Sequence, residues 1–181
     1  MTPGDSQLMG NWMIDDRYSA LLASIRWLGA DALMQPKPVE RDWLLEQGSM
    51  TRRFEPFCRH VNVQRRREGY FAASESGDDI ALLPKSDRYW LREVLLCGDD
   101  RPWLVGRMLI PESAMTGTEQ GLTTLGDTPL GRWLFRGEPP ERDYIQLGRA
   151  GSLWARRSCL RLNSKPLLLT ELFLPDAPLY R

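Results

Sequence analysis

The sequence is short of the residues on which most metal and nucleophile chemistry depends. It holds a single histidine, His60, and three cysteines, Cys58, Cys97 and Cys159, none of them in a CxxC pair. Zinc sites and Cys/His dyads therefore lack most of their parts, and no metal is expected. An odd number of cysteines without such pairing fits a reducing compartment. Lysine is scarce too, with three residues against 21 arginines. There is no excess of either charge, because 24 basic side chains face 24 acidic ones. A neutral chain argues against nucleic acid and other partners chosen by phosphate electrostatics. It leaves room for a small anion, which needs only one or two well-placed cations. No apolar run approaches the ~20 residues of a membrane span. Met1 to Trp12 carry Asp5 and no basic residue, unlike a secretory signal. The expectation is a soluble cytoplasmic protein without membrane insertion.

What is present is ordinary globular material: 181 residues, 42% of them hydrophobic and 27% charged. With no repeat or long linker, residues 1–181 read as one domain, the first dozen as a loose tail. Leu21, Leu22, Ile25 and Leu28 stand at helical spacing and predict a helix over Tyr18 to Leu28. Pro38 can open a second helix running to Glu46, with Gly48 as its stop, and Ser49 caps a third, with Phe54 and Phe57 as its apolar contacts. Strands are predicted over Val61–Ala72, Arg88–Cys97, Trp103–Ile110, Asp143–Gly148, Leu153–Leu162 and Pro166–Leu174. The second and third of these are joined by a tight turn through Gly98 to Pro102, and the last two by Asn163 to Lys165. Between the third and fourth lies a helix–turn–helix over Glu112 to Phe135, in which Gly126 ends one piece and Thr128-Pro129 opens the next. Six strands on short connections predict an antiparallel sheet with helices on one face, an α+β domain.

Strand alternation singles out two charged residues. Arg92 shares a face with Trp90, Val94 and Leu96, and a guanidinium there must find an anion, either a structural carboxylate or a ligand. Glu171 shares its face with Leu167, Leu169 and Phe173. It either pairs with Arg92 or Arg156, or it keeps a raised pKa and handles a proton. Arg156 is a weaker second candidate for an inward cation, whereas Arg157 and Arg161 fall on the opposite face and are expected in solvent. Arg65 to Arg67 read as a solvated edge face, and His60 as structural or exposed. Two helix starts, at Met50 and Leu130, present unpaired backbone amides. Those amides either bind oxygens of an anionic ligand or are satisfied by the Ser49 and Thr128 hydroxyls.

Long blocks of the chain resemble the chorismate pyruvate-lyase family: Ser49 to Glu55, Leu82 to Lys85, Arg88 to Cys97, Thr128 to Arg132, Leu153 to Ser158 and Lys165 to Pro175. They run in the family's order from about Trp43 to Tyr180; the first forty residues show no convincing match. The resemblance implies a bacterial enzyme of ubiquinone biosynthesis that converts chorismate to 4-hydroxybenzoate and pyruvate without metal or organic cofactor. It implies a monomer on a six-stranded antiparallel sheet, with the ligand in an internal cavity beneath helical flaps. Carried onto this sequence, the binding positions are Met50, Arg92, Leu130 and Glu171, with Arg92 and Glu171 as the chemically active pair. The alternative from another class is a non-catalytic sensor that binds a small aromatic carboxylate on a similar fold. Such a module would normally adjoin a basic DNA-binding segment, and the N-terminal region shows none.

Overall fold

The computed structural model describes residues 17–30 and 32–181. The tail expected over residues 1–12 lies outside them. Residues 17–23 form helix α1 and are followed by strand β1 (Arg26–Trp27), helix α2 (Pro38–Leu44) and helix α3 (Met50–Phe54). Strands β2 (Val61–Ala72), β3 (Arg88–Gly98) and β4 (Arg101–Pro111) come next. After β4 the chain makes 3-10 turns at Glu112–Ala114 and Gly117–Thr124 and then helix α4 (Leu130–Leu134). Strands β5 (Glu141–Ala150), β6 (Leu153–Leu162) and β7 (Lys165–Phe173) complete one antiparallel sheet in the order β1-β5-β6-β7-β4-β3-β2.

The sheet thus has seven strands among the described residues, not six. The seventh is β1, inside the segment predicted to stay helical to Leu28. Arg26 and Trp27 pair with Arg149 and Gly148 at the edge of β5. A two-residue strand is too short to show alternation, so the flanking Ile25 and Leu28 read as a continuation of the helix. Gly148 makes the approach possible, since a Cβ there would meet Ile25 Cγ2 and Trp27 Cε3 at 2.7 Å.

The six predicted strands form where expected, and the two tight turns explain why. Asp99 and Asp100 take φ of 47° and 66°, and Asn163 and Ser164 take 51° and 65°. Turns of this hand match the twist of the flanking strands, and Asp and Asn tolerate the left-handed region better than other side chains. The Asp99 carboxylate accepts hydrogen bonds from the backbone N–H groups of Arg59 and His60, which hold its pKa below the ordinary value. His60 is exposed.

Helices cover both faces of the sheet rather than one. On one face α2, α3, α4 and the Glu112–Thr124 segment pack against Leu96, Leu104, Met108, Leu160, Leu167 and Phe173. On the other, Leu22 and Ile25 pack against Leu95, Val105 and Leu172, while Ile80 and Leu83 cover Leu91, Leu109 and Leu168. Strands β3 and β4 are apolar on both sides, and an antiparallel strand of that kind needs two covers. Polar clasps fasten the second cover: Ser19 to Glu93 (3.1 Å), Arg107 to the Ser76 carbonyl, and Arg157 to Asp79 (3.0 Å). Arg157, expected in solvent, is therefore half-buried and lies over the Trp27 ring as well. Arg161 is exposed as expected and pairs with Asp143 at 2.8 Å. The arginine run at 65–67 lies on β2, an edge of the sheet, where a register shift falls between Arg65 and Arg67.

Candidate active site

Between the sheet and the α3/α4 cover lies a cavity with about 650 Å³ of empty space, counting its mouth. Alternation along the strands decides its floor. Arg92 and Val94 come from β3, Gly106 and Met108 from β4, Leu169 and Glu171 from β7, and Arg156 from β6. Met50 and Thr51 at the start of α3, with Leu130 and Gly131 at the start of α4, line its other side. The four predicted positions Met50, Arg92, Leu130 and Glu171 thus converge on one space.

The two helix starts abut. A Cβ on Gly131 would sit 2.6 Å from Ser49 Oγ and 3.0 Å from Thr51 Oγ1, so only glycine lets α4 come this close to α3. Ser49 caps α3 as expected by accepting from the Arg52 N–H at 3.3 Å. Phe54 is fully buried, but Phe57 is half-exposed, its ring centroid 5.4 Å from that of Trp43. The start of α4 differs from expectation. Pro129, not Thr128, occupies the cap position, no side chain caps the helix, and the preceding piece is 3-10 rather than α-helical. Thr128 instead contributes its carbonyl, which accepts from Arg92.

Arg92 is 2% exposed and spends three of its five N–H donors on protein acceptors. Nη1 donates to Glu68 Oε2 and to the Gly126 carbonyl, both at 2.9 Å, and Nη2 donates to the Thr128 carbonyl at 3.1 Å. The Glu68 contact is the carboxylate on a neighbouring strand that the sequence allowed for, since Glu68 stands directly opposite Arg92 in the β2/β3 register. Nε is buried and has no partner among the described residues. Burial pushes the guanidinium below its ordinary pKa and Glu68 pulls it back up. Arginine stays charged throughout.

Glu171 is paired with Arg156, not with Arg92. Arg156 Nε donates to Glu171 Oε2 at 2.5 Å, across the β6/β7 register in which the two residues are opposite. Arg156 Nη1 also donates to the carbonyls of Leu44 (3.2 Å) and Glu46 (2.6 Å), which ties the end of α2 to the sheet. Glu171 Oε1 accepts no hydrogen bond from the described residues and is the oxygen left for a ligand. One further cation, Arg142, lines the same cavity. Sequence reasoning missed it because it stands one residue before the predicted strand, where alternation had no phase to assign. The register shift between Arg142 and Tyr144 would have hidden it in any case.

This set of three arginines and a glutamate around a mainly apolar cavity joins comparisons with known proteins that point one way. The family model described as Chorismate lyase matches residues 21–181. The chain belongs to the chorismate lyase family. The match reaches back past Trp43 into α1, further than the blocks legible in the sequence. Among the family's curated members, the chorismate pyruvate-lyase of Sodalis glossinidius (strain morsitans) is 53% identical over 169 residues, 93% of this chain and 95% of the relative. That of Yersinia enterocolitica serotype O:8 / biotype 1B is 51% identical over 162 residues, 90% of this chain and 96% of the relative. A solved structure, the C-terminal domain of the histidine utilization repressor from Pseudomonas syringae pv. tomato str. DC3000, is 13% identical with a TM-score of 0.44, covering 65% of this chain and 92% of that one.

Proposed function

We propose that this chain is a chorismate pyruvate-lyase, converting chorismate to 4-hydroxybenzoate and pyruvate. The observation that carries the reading is the cavity floor, where Arg92 and Glu171 stand apart on one sheet face across a mainly apolar space, with Arg156 paired to Glu171. Two strand spacings, about 10 Å, separate the strands that bear them. That span suits a ring with a carboxylate at one end and a hydroxyl at the other. Arg92 has two donors unspent, one on Nε and one on Nη2, which is the number a carboxylate accepts side by side. Glu171 Oε1 accepts from the ring hydroxyl that survives in the product, while Arg156 holds the other oxygen. The Met50 amide helps at the carboxylate end, and the Leu130 region helps at the hydroxyl.

The reaction asks little of the protein. The ether bond from the ring to the enolpyruvyl group breaks and the oxygen leaves with the bonding pair. The hydrogen on the hydroxyl-bearing ring carbon departs as a proton, and its electron pair completes the aromatic ring. The enolpyruvate takes a proton on its methylene carbon and becomes pyruvate. Aromatisation supplies the driving force, so holding the substrate in a reactive pose and excluding water are the main contributions. No metal, organic cofactor or second subunit has a part in this scheme, and the chain acts as a monomer.

The test is incubation of the purified protein with chorismate and separation of the products. Equimolar 4-hydroxybenzoate and pyruvate above the spontaneous background are expected; intact chorismate with well-folded protein would overturn the reading. No observation favours the sensor alternative over the enzyme.

A further inference from the structure

We infer that Arg142 is the receptor for the second carboxylate of the substrate, the one on the enolpyruvyl group that leaves as pyruvate. The inference rests on the lyase reading and adds a residue to it. Three guanidiniums line the cavity. Two already face carboxylates, Arg92 with Glu68 and Arg156 with Glu171. Arg142 has no carboxylate within ion-pair distance among the described residues. Its Nη1 donates to Ser158 Oγ at 2.6 Å, its Nη2 reaches the Gln47 carbonyl at 3.4 Å, and its Nε is buried with no acceptor among the described residues. A cation met only by neutral oxygens in a desolvated place is costly, and the arrangement makes sense where an anion arrives to complete it. Burial and the neighbouring Arg156 charge both press on this guanidinium, with Glu171 opposing them.

Its position fits the chemistry. Arg142 stands on β5 and Arg92 on β3, with Glu171 on β7 midway between them in the strand order. Each arginine strand is therefore two spacings, about 10 Å, from the glutamate strand. With the ring carboxylate on Arg92 and the hydroxyl on Glu171, the ether on the adjacent ring carbon projects at the Glu171 end, and its carboxylate needs a cation there. The irregularity between Arg142 and Tyr144 is the local device, because a bulge beside a site re-aims a side chain that regular alternation would place otherwise.

Chorismate carries two carboxylates and 4-hydroxybenzoate one, so Arg142 serves the substrate and not the retained product. Arg142→Gln should lower kcat/KM for chorismate about 10- to 150-fold, the worth of a charged hydrogen-bonded contact, while the 4-hydroxybenzoate dissociation constant stays within about threefold. Arg142→Lys should fall between. A second measurement needs no variant: 3-(carboxymethoxy)-4-hydroxybenzoate should bind wild-type protein at least about tenfold tighter than its primary amide, which has the same size without the charge. That preference should vanish in Arg142→Gln. Equal binding of acid and amide by the wild type overturns the assignment, and so does equal loss of chorismate turnover and 4-hydroxybenzoate affinity in the variant. A wild type that discriminates acid from amide through Arg142 but leaves chorismate intact would keep the anion subsite and sink the lyase reading instead.

Discussion

Arg92 is the residue on which both structure and ligand make demands. Two of its contacts are to backbone carbonyls of the loop leading into α4, so the guanidinium positions the loop that covers it. Replacing it with alanine should lower affinity for 4-hydroxybenzoate by roughly 100-fold, the loss of a bidentate charged pair. A calorimetric titration checks this, and unchanged product binding would remove Arg92 from the site. Glu171 separates into two roles by a single substitution. If it only orients the substrate, Glu171→Gln keeps near-normal kcat with a raised KM. If it moves a proton, kcat falls while product binding persists; steady-state kinetics beside a binding titration decide between them. Arg156 is a positioning residue for that carboxylate. Arg156→Met should destabilise the fold by about 3–5 kcal/mol in denaturant melts, because a buried carboxylate then loses its ion-pair partner.

At the scale of elements, the interest lies in how the Glu112–Thr124 segment and α4 are tied down. Glu119, nearly inaccessible, accepts from Asn163 at 2.8 Å, in the turn between β6 and β7, and from Lys165 at 3.0 Å, at the start of β7. Burial works to raise its pKa, but those two hydrogen bonds, a backbone hydrogen bond and the Lys165 charge together outweigh it and leave the carboxyl below its ordinary value. The folded pKa is depressed, so the tether contributes fully above the unfolded pKa and is lost as the pH falls through the folded one. Glu119→Gln should therefore loosen this cover at neutral pH and speed 4-hydroxybenzoate dissociation, read by stopped-flow displacement. The same variant should remove the acid-side change in that rate. If release does not respond, opening of this segment does not limit it. Gly131 sets the other seam: Gly131→Ala must push α4 off Ser49 and Thr51, and it is expected to weaken ligand binding more than it lowers the melting temperature.

For the whole molecule, the C-terminus is a structural clamp. The Tyr180 hydroxyl donates to the Phe173 carbonyl at 2.9 Å and accepts from the Trp154 N–H at 2.8 Å, joining the ends of β6 and β7. Burial pushes its pKa up to about 12. A raised folded value means that its contribution is whole below the unfolded pKa near 10 and disappears as the pH rises toward about 12. The melting-temperature gap between wild type and Tyr180→Phe should accordingly close over that window. Much of this architecture was legible in the chain. Six strands were marked by apolar runs bounded by turn residues, and the period of two along them gave the inward phases of Arg92, Arg156 and Glu171. What escaped were features with no period to read. Strand β1 is two residues long, Arg142 lies beside a register shift, and the Glu112–Thr124 segment is 3-10, with a repeat close enough to an α-helix to mislead. The partner of Glu171 was left open between two arginines because register across β6 and β7, not composition, selects Arg156.

The scarcity of lysine has a practical consequence. Lys37 and Lys85 are exposed, whereas Lys165 donates to the Thr116 carbonyl, to Thr116 Oγ1 and to Glu119 in the segment next to the cavity. Acylating reagents that target primary amines thus meet two freely available side chains and one fastening. The rate at which the third is modified is a footprint of how often that fastening opens, obtainable by mass spectrometry on the unlabelled native protein.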